Sequence, residues 1–247
     1  MTNNYDLVSD IYDTYNISDY DIDFYLNRYK NFFGTAVELM AGTGRLSIPL
    51  LKSEIKLDCV DISKGLLEKL SNKIMSEKLL SNIYCQDIRY LNLKDHYDLI
   101  IIAFNSFSEI VDKEDQNKVF KSIYNILTDS GEFIFTLYNP QFRRKSINNN
   151  IAFINEYSYN NEKIIFSMTS FEKNNIVKVK QFYEFYNEFG TLTNKRLLEL
   201  AFRLMDKVEI ENLIKDTGFK IKEFYGSFDM KEYNEKESSF MIYVLQK

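Results

Sequence analysis

Ala36-Val37-Glu38-Leu39-Met40-Ala41-Gly42-Thr43-Gly44-Arg45 decides how the chain is read. A short apolar run carrying one acid meets Gly-x-Gly, and the amphipathic segment Leu46 to Leu51 follows at once, the order of strand, tight turn and helix. The two glycines let the backbone turn sharply and approach a ligand with no Cβ in the way. The helix behind them aims unpaired N–H groups and its positive dipole end at the same spot. Such a turn cradles a nucleotide-like cofactor. Gly-x-Gly also occurs in ordinary strand-to-helix turns, so the segments on either side must decide between the two.

Downstream, Lys56 to Asp61 is a second short strand ending in an acid. Asp61 follows Glu38 at close to the interval of about 20 residues at which a nucleotide-binding α/β unit places a carboxylate for ribose hydroxyls. The competing reading is an acid at a helix N-terminus. Ser63 caps a helix from Lys64 to about Met75, with Leu66, Leu67, Leu70 and Ile74 on one face. Ile83-Tyr84-Cys85 is a third strand, with Gln86-Asp87-Ile88 at its exit. Tyr97 to Phe104 is a fourth, nearly all apolar as a strand covered on both faces must be, and Asn105-Ser106-Phe107-Ser108 lines its exit. A helix from about Asp115 to Leu127, a turn at Asp129-Ser130-Gly131 and a fifth strand from Glu132 to Tyr138 continue the alternation. The pattern predicts an α/β fold, a doubly wound, mostly parallel sheet whose ligands lie beyond the carboxyl ends of the strands. Glu38, Asp61, Asp87 and Asn105 all belong at that edge.

Upstream, Tyr5 to Tyr29 is dense in tyrosine and aspartate, and Ile22, Phe24, Tyr25, Leu26, Tyr29, Phe32 and Phe33 are spaced for a helix from Asp21 to Phe33 with one broad buried face. These aromatics either pack into the core or lie across the cradle and close it from water. Past Pro140 the pattern changes. Asn148-Asn149-Asn150 is a polar linker, and Ile151 to Tyr159, Lys163 to Phe171, Ile176 to Tyr186 and Arg196 to Arg203 are rich in β-branched and aromatic residues, with turn signals between them. This reads as a four-stranded antiparallel insert, residues 148–203, set into a core formed by residues 1–147 and 204–247. It is either a substrate lid or a dimer surface. Tyr157, Phe166, Phe182, Tyr183 and Tyr186 are its candidates for an aromatic wall. A helix from Glu209 to Thr217, closed by Gly218, precedes two last strands at Phe219 to Phe228 and Ser239 to Gln246.

Composition narrows the function. The chain has 247 residues, of which 45% are hydrophobic and 27% charged, enough for a full core. The apolar run Leu99 to Phe104 is too short to span a bilayer, and the first residues carry neither a basic start nor an apolar core, so a cytoplasmic protein is expected. Cys59 and Cys85 lie in apolar segments without metal-ligand spacing, which predicts buried thiols and no metal site. A net charge of -5, with no dense Lys/Arg block, argues against nucleic acid as substrate.

The ordered set Val37 to Arg45, Asp61-Ile62-Ser63 with Leu66-Leu67, Gln86-Asp87-Ile88, Tyr97 to Ile100 and Leu127 to Phe133 resembles the successive motifs of the class I S-adenosylmethionine-dependent methyltransferases. The resemblance implies a Rossmann-like sheet of seven strands, the last inserted antiparallel, with S-adenosylmethionine as cofactor. It puts the methionine part of the cofactor against Glu38 and the loop Ala41, Gly42, Gly44, the ribose on Asp61, the adenine between Ile62 and Leu66, and the adenine edge on Asp87 and Ile88. Ala41 departs from the pattern, since many members have glycine there, but it is the smallest substitute.

The implied reaction is in-line methyl transfer to nitrogen or oxygen, in which the protein aligns the nucleophile and excludes water. The one histidine, His96, precedes the fourth strand, at the end of the sheet away from the site, and is not expected to be catalytic. Glu109 or a tyrosine is the candidate base, with Asn105 and Tyr12 or Tyr20 as positioning groups. The exit of the fourth strand lacks the Asn/Asp-Pro-Pro-Tyr pattern of amide-nitrogen methyltransferases, so a small-molecule acceptor is expected, with no membrane partner and a monomer or homodimer as assembly. Two other readings share the cradle. A nicotinamide-dependent oxidoreductase needs Gly-x-Gly-x-x-Gly, where Ser47 stands at the third position. A non-catalytic binding protein on the same fold needs only the aromatic insert as its contact surface.

Overall fold

The computed structural model describes residues 3–247. A 3-10 turn at Tyr5–Val8 and helices α1 (Tyr12–Tyr15) and α2 (Ile22–Arg28) lead into the alternating unit. Its elements are β1 (Thr35–Leu39), α3 (Ser47–Lys52), β2 (Lys56–Asp61), α4 (Lys64–Ser76), β3 (Ile83–Cys85), β4 (Tyr97–Ile102), α5 (Lys113–Ile126) and β5 (Leu127–Tyr138). Then come α6 (Pro140–Arg144), β6 (Ala152–Tyr159), β7 (Glu162–Lys173), β8 (Ile176–Tyr186), β9 (Leu192–Arg203), α7 (Lys207–Asp216), β10 (Lys220–Tyr225) and β11 (Phe240–Gln246).

Seven strands form one sheet in the order β10-β11-β5-β4-β1-β2-β3. The pairs among β1 to β5 are parallel, while β11 runs antiparallel to both of its neighbours. Apolar residues on both faces of each central strand explain this placement. Val37, Leu39, Ile100 and Ile102 pack with Phe120, Phe133 and Phe135 on one side, and Ala36, Leu57, Leu99 and Ile101 pack with Leu50, Leu70 and Ile134 on the other. Ser63 caps α4 by accepting from the Leu66 N–H, and Gly218 closes the chain past α7 at φ +90°.

Four expectations are corrected. α2 ends at Arg28 instead of running to Phe33, because the chain must reverse within a few residues to enter β1 at Thr35. β4 stops at Ile102, where Phe104 and Asn105 leave the extended region. Asp129-Ser130-Gly131 is no separate turn: β5 begins at Leu127, opposite Tyr97, and the residues before Glu132 form an irregularity within the strand. Cys59 is buried as expected, but Cys85 is exposed, because it closes the edge strand β3.

β6 to β9 make a separate antiparallel sheet in chain order. Its register puts Phe166, Met168, Val179, Gln181, Tyr183, Leu198, Leu200 and Phe202 on one face. That face has two uses. Phe166, Tyr183, Phe185 and Leu198 pack against Val8 and Ile11 of the N-terminal segment, and Tyr15 packs beside them. Met168, Val179, Gln181, Leu200 and Phe202 turn toward a cavity at the carboxyl edge of the large sheet. The aromatic wall expected from Tyr157, Phe166, Phe182, Tyr183 and Tyr186 does not form: none of the five lines the cavity, and Phe166 and Tyr183, although on the same face, are covered by the N-terminal segment.

Candidate active site

The exits of β1 and β4 carry unusual backbone. Met40, Gly42 and Gly44 after β1, and Phe104 and Asn105 after β4, all have positive φ, between 56° and 82°. For a bulky residue this conformation is strained and persists only where the surroundings enforce it. The two strand ends thereby leave the sheet sharply and open a cavity of about 790 Å³, bounded by the carboxyl edge, the N-terminal segment and the inner face of the second sheet.

Gly42, Asp61, Ile62, Leu66, Asp87, Ile88, Asn105, Glu109 and Tyr12 line this cavity together. Glu38, Ala41, Gly44 and Tyr20 do not. Glu38 is buried behind the loop, accepts a hydrogen bond from Ser47 Oγ, and has its carboxyl pushed up to about 8, chiefly by burial. Ala41 is buried and its N–H donates to Val60 O. A Cβ on Gly44 would collide with Leu70, so this glycine serves the turn, whereas a Cβ on Gly42 would meet only Leu66 at 3.9 Å. Tyr20 stacks on Phe104 and Phe240 beside the cavity, and its hydroxyl accepts a long bond of 3.5 Å from Asn105 Nδ2.

The carboxylates differ in their partners. Asp61 accepts the N–H of Gly42 and of Ser63, each at 2.8 Å, which fixes the carboxylate between the loop and α4; burial lifts its pKa despite these bonds. Asp87 is gripped by Arg89, which also reaches Asp115 at 2.6 Å. Burial pushes the Asp87 carboxyl up, but the Arg89 bonds outweigh it and hold it below the usual range. Glu109 accepts from Asn3 Nδ2 and from Tyr5 Oη, both at 2.8 Å. Burial raises its carboxyl to about 7 against those two donors. Asn105 donates its N–H to Thr136 Oγ1 while its Oδ1 is buried without a partner among the described residues.

Acidic residues tie the N-terminal segment over this edge. Asp6 accepts from Ser63 Oγ and the Gly65 N–H at the start of α4. Asp13 accepts from Thr43 Oγ1 and pairs with Lys73, and Asp21 pairs with Arg45. Asp10 pairs with Arg196 of β9. Asn3, Tyr5 and Arg143, and the cavity face of the second sheet, were not singled out from the sequence. The partners of Asn3 and Tyr5 lie about a hundred positions away, so no local pattern marks them.

The residues present fit S-adenosylmethionine on structural grounds. Open space over Gly42 admits a close approach, Asp61 keeps unused acceptor positions for hydroxyls, Ile62 and Leu66 offer apolar surface, and the unpartnered Asn105 Oδ1 suits a cationic or donor group. Residues 36–131 match the family model described as a methyltransferase domain. The glycine/sarcosine/dimethylglycine N-methyltransferase of Actinopolyspora halophila is 26% identical over 216 residues, 86% of this chain and 36% of that protein, so the chain spans about a third of that relative's length. Among solved structures, an S-adenosylmethionine-dependent methyltransferase from Clostridium acetobutylicum superposes with a TM-score of 0.81 at 24% identity, covering 98% of both chains. The CcbJ methyltransferase from Streptomyces caelestis gives 0.83 at 18% identity, covering 99% of this chain and 98% of that one. Residues 36–131 therefore match a methyltransferase domain, and the whole chain, with its inserted antiparallel strand, has the fold of these S-adenosylmethionine-dependent methyltransferases.

Proposed function

We propose that the protein methylates the nitrogen of a small amine, with Glu109 as the base that takes the acceptor's proton. The observation that carries this reading is Glu109 itself, a carboxylate lining the cavity, fixed by two donors and raised to about 7. A small amine is protonated at neutral pH and has no free lone pair until that proton leaves. A base is most effective when its pKa lies near the working pH. The name of the Actinopolyspora relative, a glycine/sarcosine/dimethylglycine N-methyltransferase, supports nitrogen in a small molecule as the acceptor atom.

Bound S-adenosylmethionine supplies a methyl group on a positively charged sulfur, a carbon already activated for displacement. The chain's own residues do the rest. Gly42, Asp61, Ile62, Leu66, Asp87 and Ile88 hold the cofactor, with Glu38 and Gly44 shaping the loop from behind. Asn105 and Tyr12 orient the two reactants. The N-terminal segment and the inner face of the second sheet exclude water, so the second sheet is read as a roof and not as a dimer surface. Glu109 removes the ammonium proton and hands it to solvent after turnover.

The test is methyl turnover on a panel of primary and secondary amines against matched alcohols. We expect turnover with amines, rising with pH through about 7 as Glu109 ionises, and a loss of about a hundredfold in kcat for Glu109→Gln with cofactor affinity intact. Turnover confined to alcohols, or an unchanged pH limb in Glu109→Gln, would remove Glu109 from this role. Cofactor binding without any turnover would favour the binding-protein reading.

A further inference from the structure

Arg89, Lys113, Arg143 and Arg203 are the four cationic side chains that line the cavity. Arg89 is paired with Asp87 and Asp115, and both Lys113 and Arg203 are paired with Glu209. Arg143 has no carboxylate partner among the described residues. Its guanidinium lies over the rings of Tyr138, at 5.4 Å, and Phe202, at 5.0 Å, and one terminal nitrogen donates to Ser146 Oγ. Its Nε is buried with no acceptor among the described residues.

A charge half removed from water and left unpaired is costly, and a buried donor without an acceptor loses its full desolvation energy. The sequence puts it there deliberately: Asn139 caps α6 by accepting the Gln141 N–H, Pro140 starts the helix, and Arg143 then returns toward the cavity beside Tyr138 at the end of β5. Phe202 clamps it from the second sheet. Two aromatic faces fix the plane of the fork, the arrangement that suits a bidentate oxyanion. Burial depresses its pKa, as expected of a cation waiting for a counter-charge.

We infer that Arg143 is a specificity residue that binds an anionic group, a carboxylate or a phosphate, carried by the methyl acceptor. The acceptor is then an amine bearing an oxyanion, its nitrogen directed to Glu109 and its anion to Arg143. The inference rests on the cavity being the amine methylation site proposed above.

The test titrates acetate and inorganic phosphate, at constant ionic strength, into the full chain saturated with S-adenosylhomocysteine, following by NMR the backbone amides of α6 in the wild type and variants and, in the wild type, the Arg143 Nε–H resonance. We expect one anion to saturate and shift that resonance, binding at least about tenfold more weakly to Arg143→Met and to be partly restored in Arg143→Lys. Acetate as the tighter ligand assigns a carboxylate, phosphate a phosphorylated acceptor. S-adenosylmethionine affinity should stay within about twofold in both variants, which also reports that they are folded. No saturable binding of either anion to the wild type, or equal binding to Arg143→Met, overturns the inference. So does a large loss of S-adenosylmethionine affinity in Arg143→Met, which assigns the guanidinium to the cofactor's own carboxylate. If the wild type binds no S-adenosylmethionine, the functional reading fails by itself, and the anion titration on the chain alone still decides the role of Arg143.

Discussion

Glu109 shows how two donors tune one carboxyl. Burial raises it, and the hydrogen bonds from Asn3 and Tyr5 pull it back toward about 7. Removing one donor should therefore raise it further. In Tyr5→Phe we expect the rising limb of the pH–rate profile to move to higher pH, with cofactor affinity unchanged; a limb that stays in place would mean the Tyr5 hydroxyl does not govern Glu109. The glycines separate in the same way. Gly44→Val should destabilise the fold, because the new side chain meets Leu70 at φ +82°. Gly42→Ala should weaken cofactor binding at a smaller cost in stability, since only Leu66 lies nearby. Thermal melts paired with binding isotherms distinguish the two, and equal melting losses would contradict the assignment. That Gly42, Asp61 and Asp87 line the cavity was legible because each lies at or just past a strand end, whereas Ile62, Leu66 and Ile88 followed only from the resemblance of the motifs around them. Arg143 was not legible, because what marks it is the lack of a partner, visible only once Glu209, Asp87 and Asp115 are seen to be taken.

At the scale of elements, β1 and β4 were readable because a strand covered on both faces must be a short apolar run between turn signals. β5 was misread at its start: Thr128 to Gly131 has turn composition, yet the neighbouring strand holds it in the sheet across an irregular register. The second sheet was readable as four strands but not as to facing, since aromatic residues lie on both faces and only contact decides. Its aromatic end is occupied by Val8 and Ile11, so excising the sheet would strip the cover from the N-terminal segment. Point changes on its cavity face test the roof better. Met168→Ala or Leu200→Ala should alter acceptor selectivity and leave S-adenosylmethionine affinity within about threefold, as expected for groups that touch only the acceptor side. An equal loss of cofactor affinity would place these residues over the cofactor instead.

For the whole molecule, pH links folding to the site. Glu38 and Glu109 are raised to about 8 and about 7 from an ordinary 4.5, so the folded state binds more protons than the unfolded state between those values. Their contribution to stability is full below about pH 4.5 and is lost as pH rises through about 7 to 8. Asp10, Asp87 and Glu223 are held low, and what they contribute is lost instead as pH falls below the ordinary carboxylate range. Stability should therefore fall between about pH 5 and pH 8, and Glu38→Gln should flatten that decline; a wild-type Tm that rises over the interval would contradict it. His96 is exposed ahead of β4, at the far end of the sheet, and His96→Ala should leave turnover unchanged. No helix among the described residues is long and apolar enough to cross a membrane.

The expectations about turnover and binding depend on the carboxyl-edge cavity holding S-adenosylmethionine with Asp61 on its ribose. Calorimetric titration of S-adenosylmethionine into the wild type and Asp61→Ala measures this directly. Saturable binding near one equivalent is expected for the wild type, and the variant should lose about 1.5 to 3 kcal/mol, the value of hydrogen bonds to a charged group. No binding by the wild type, or an affinity unchanged in Asp61→Ala, would contradict it.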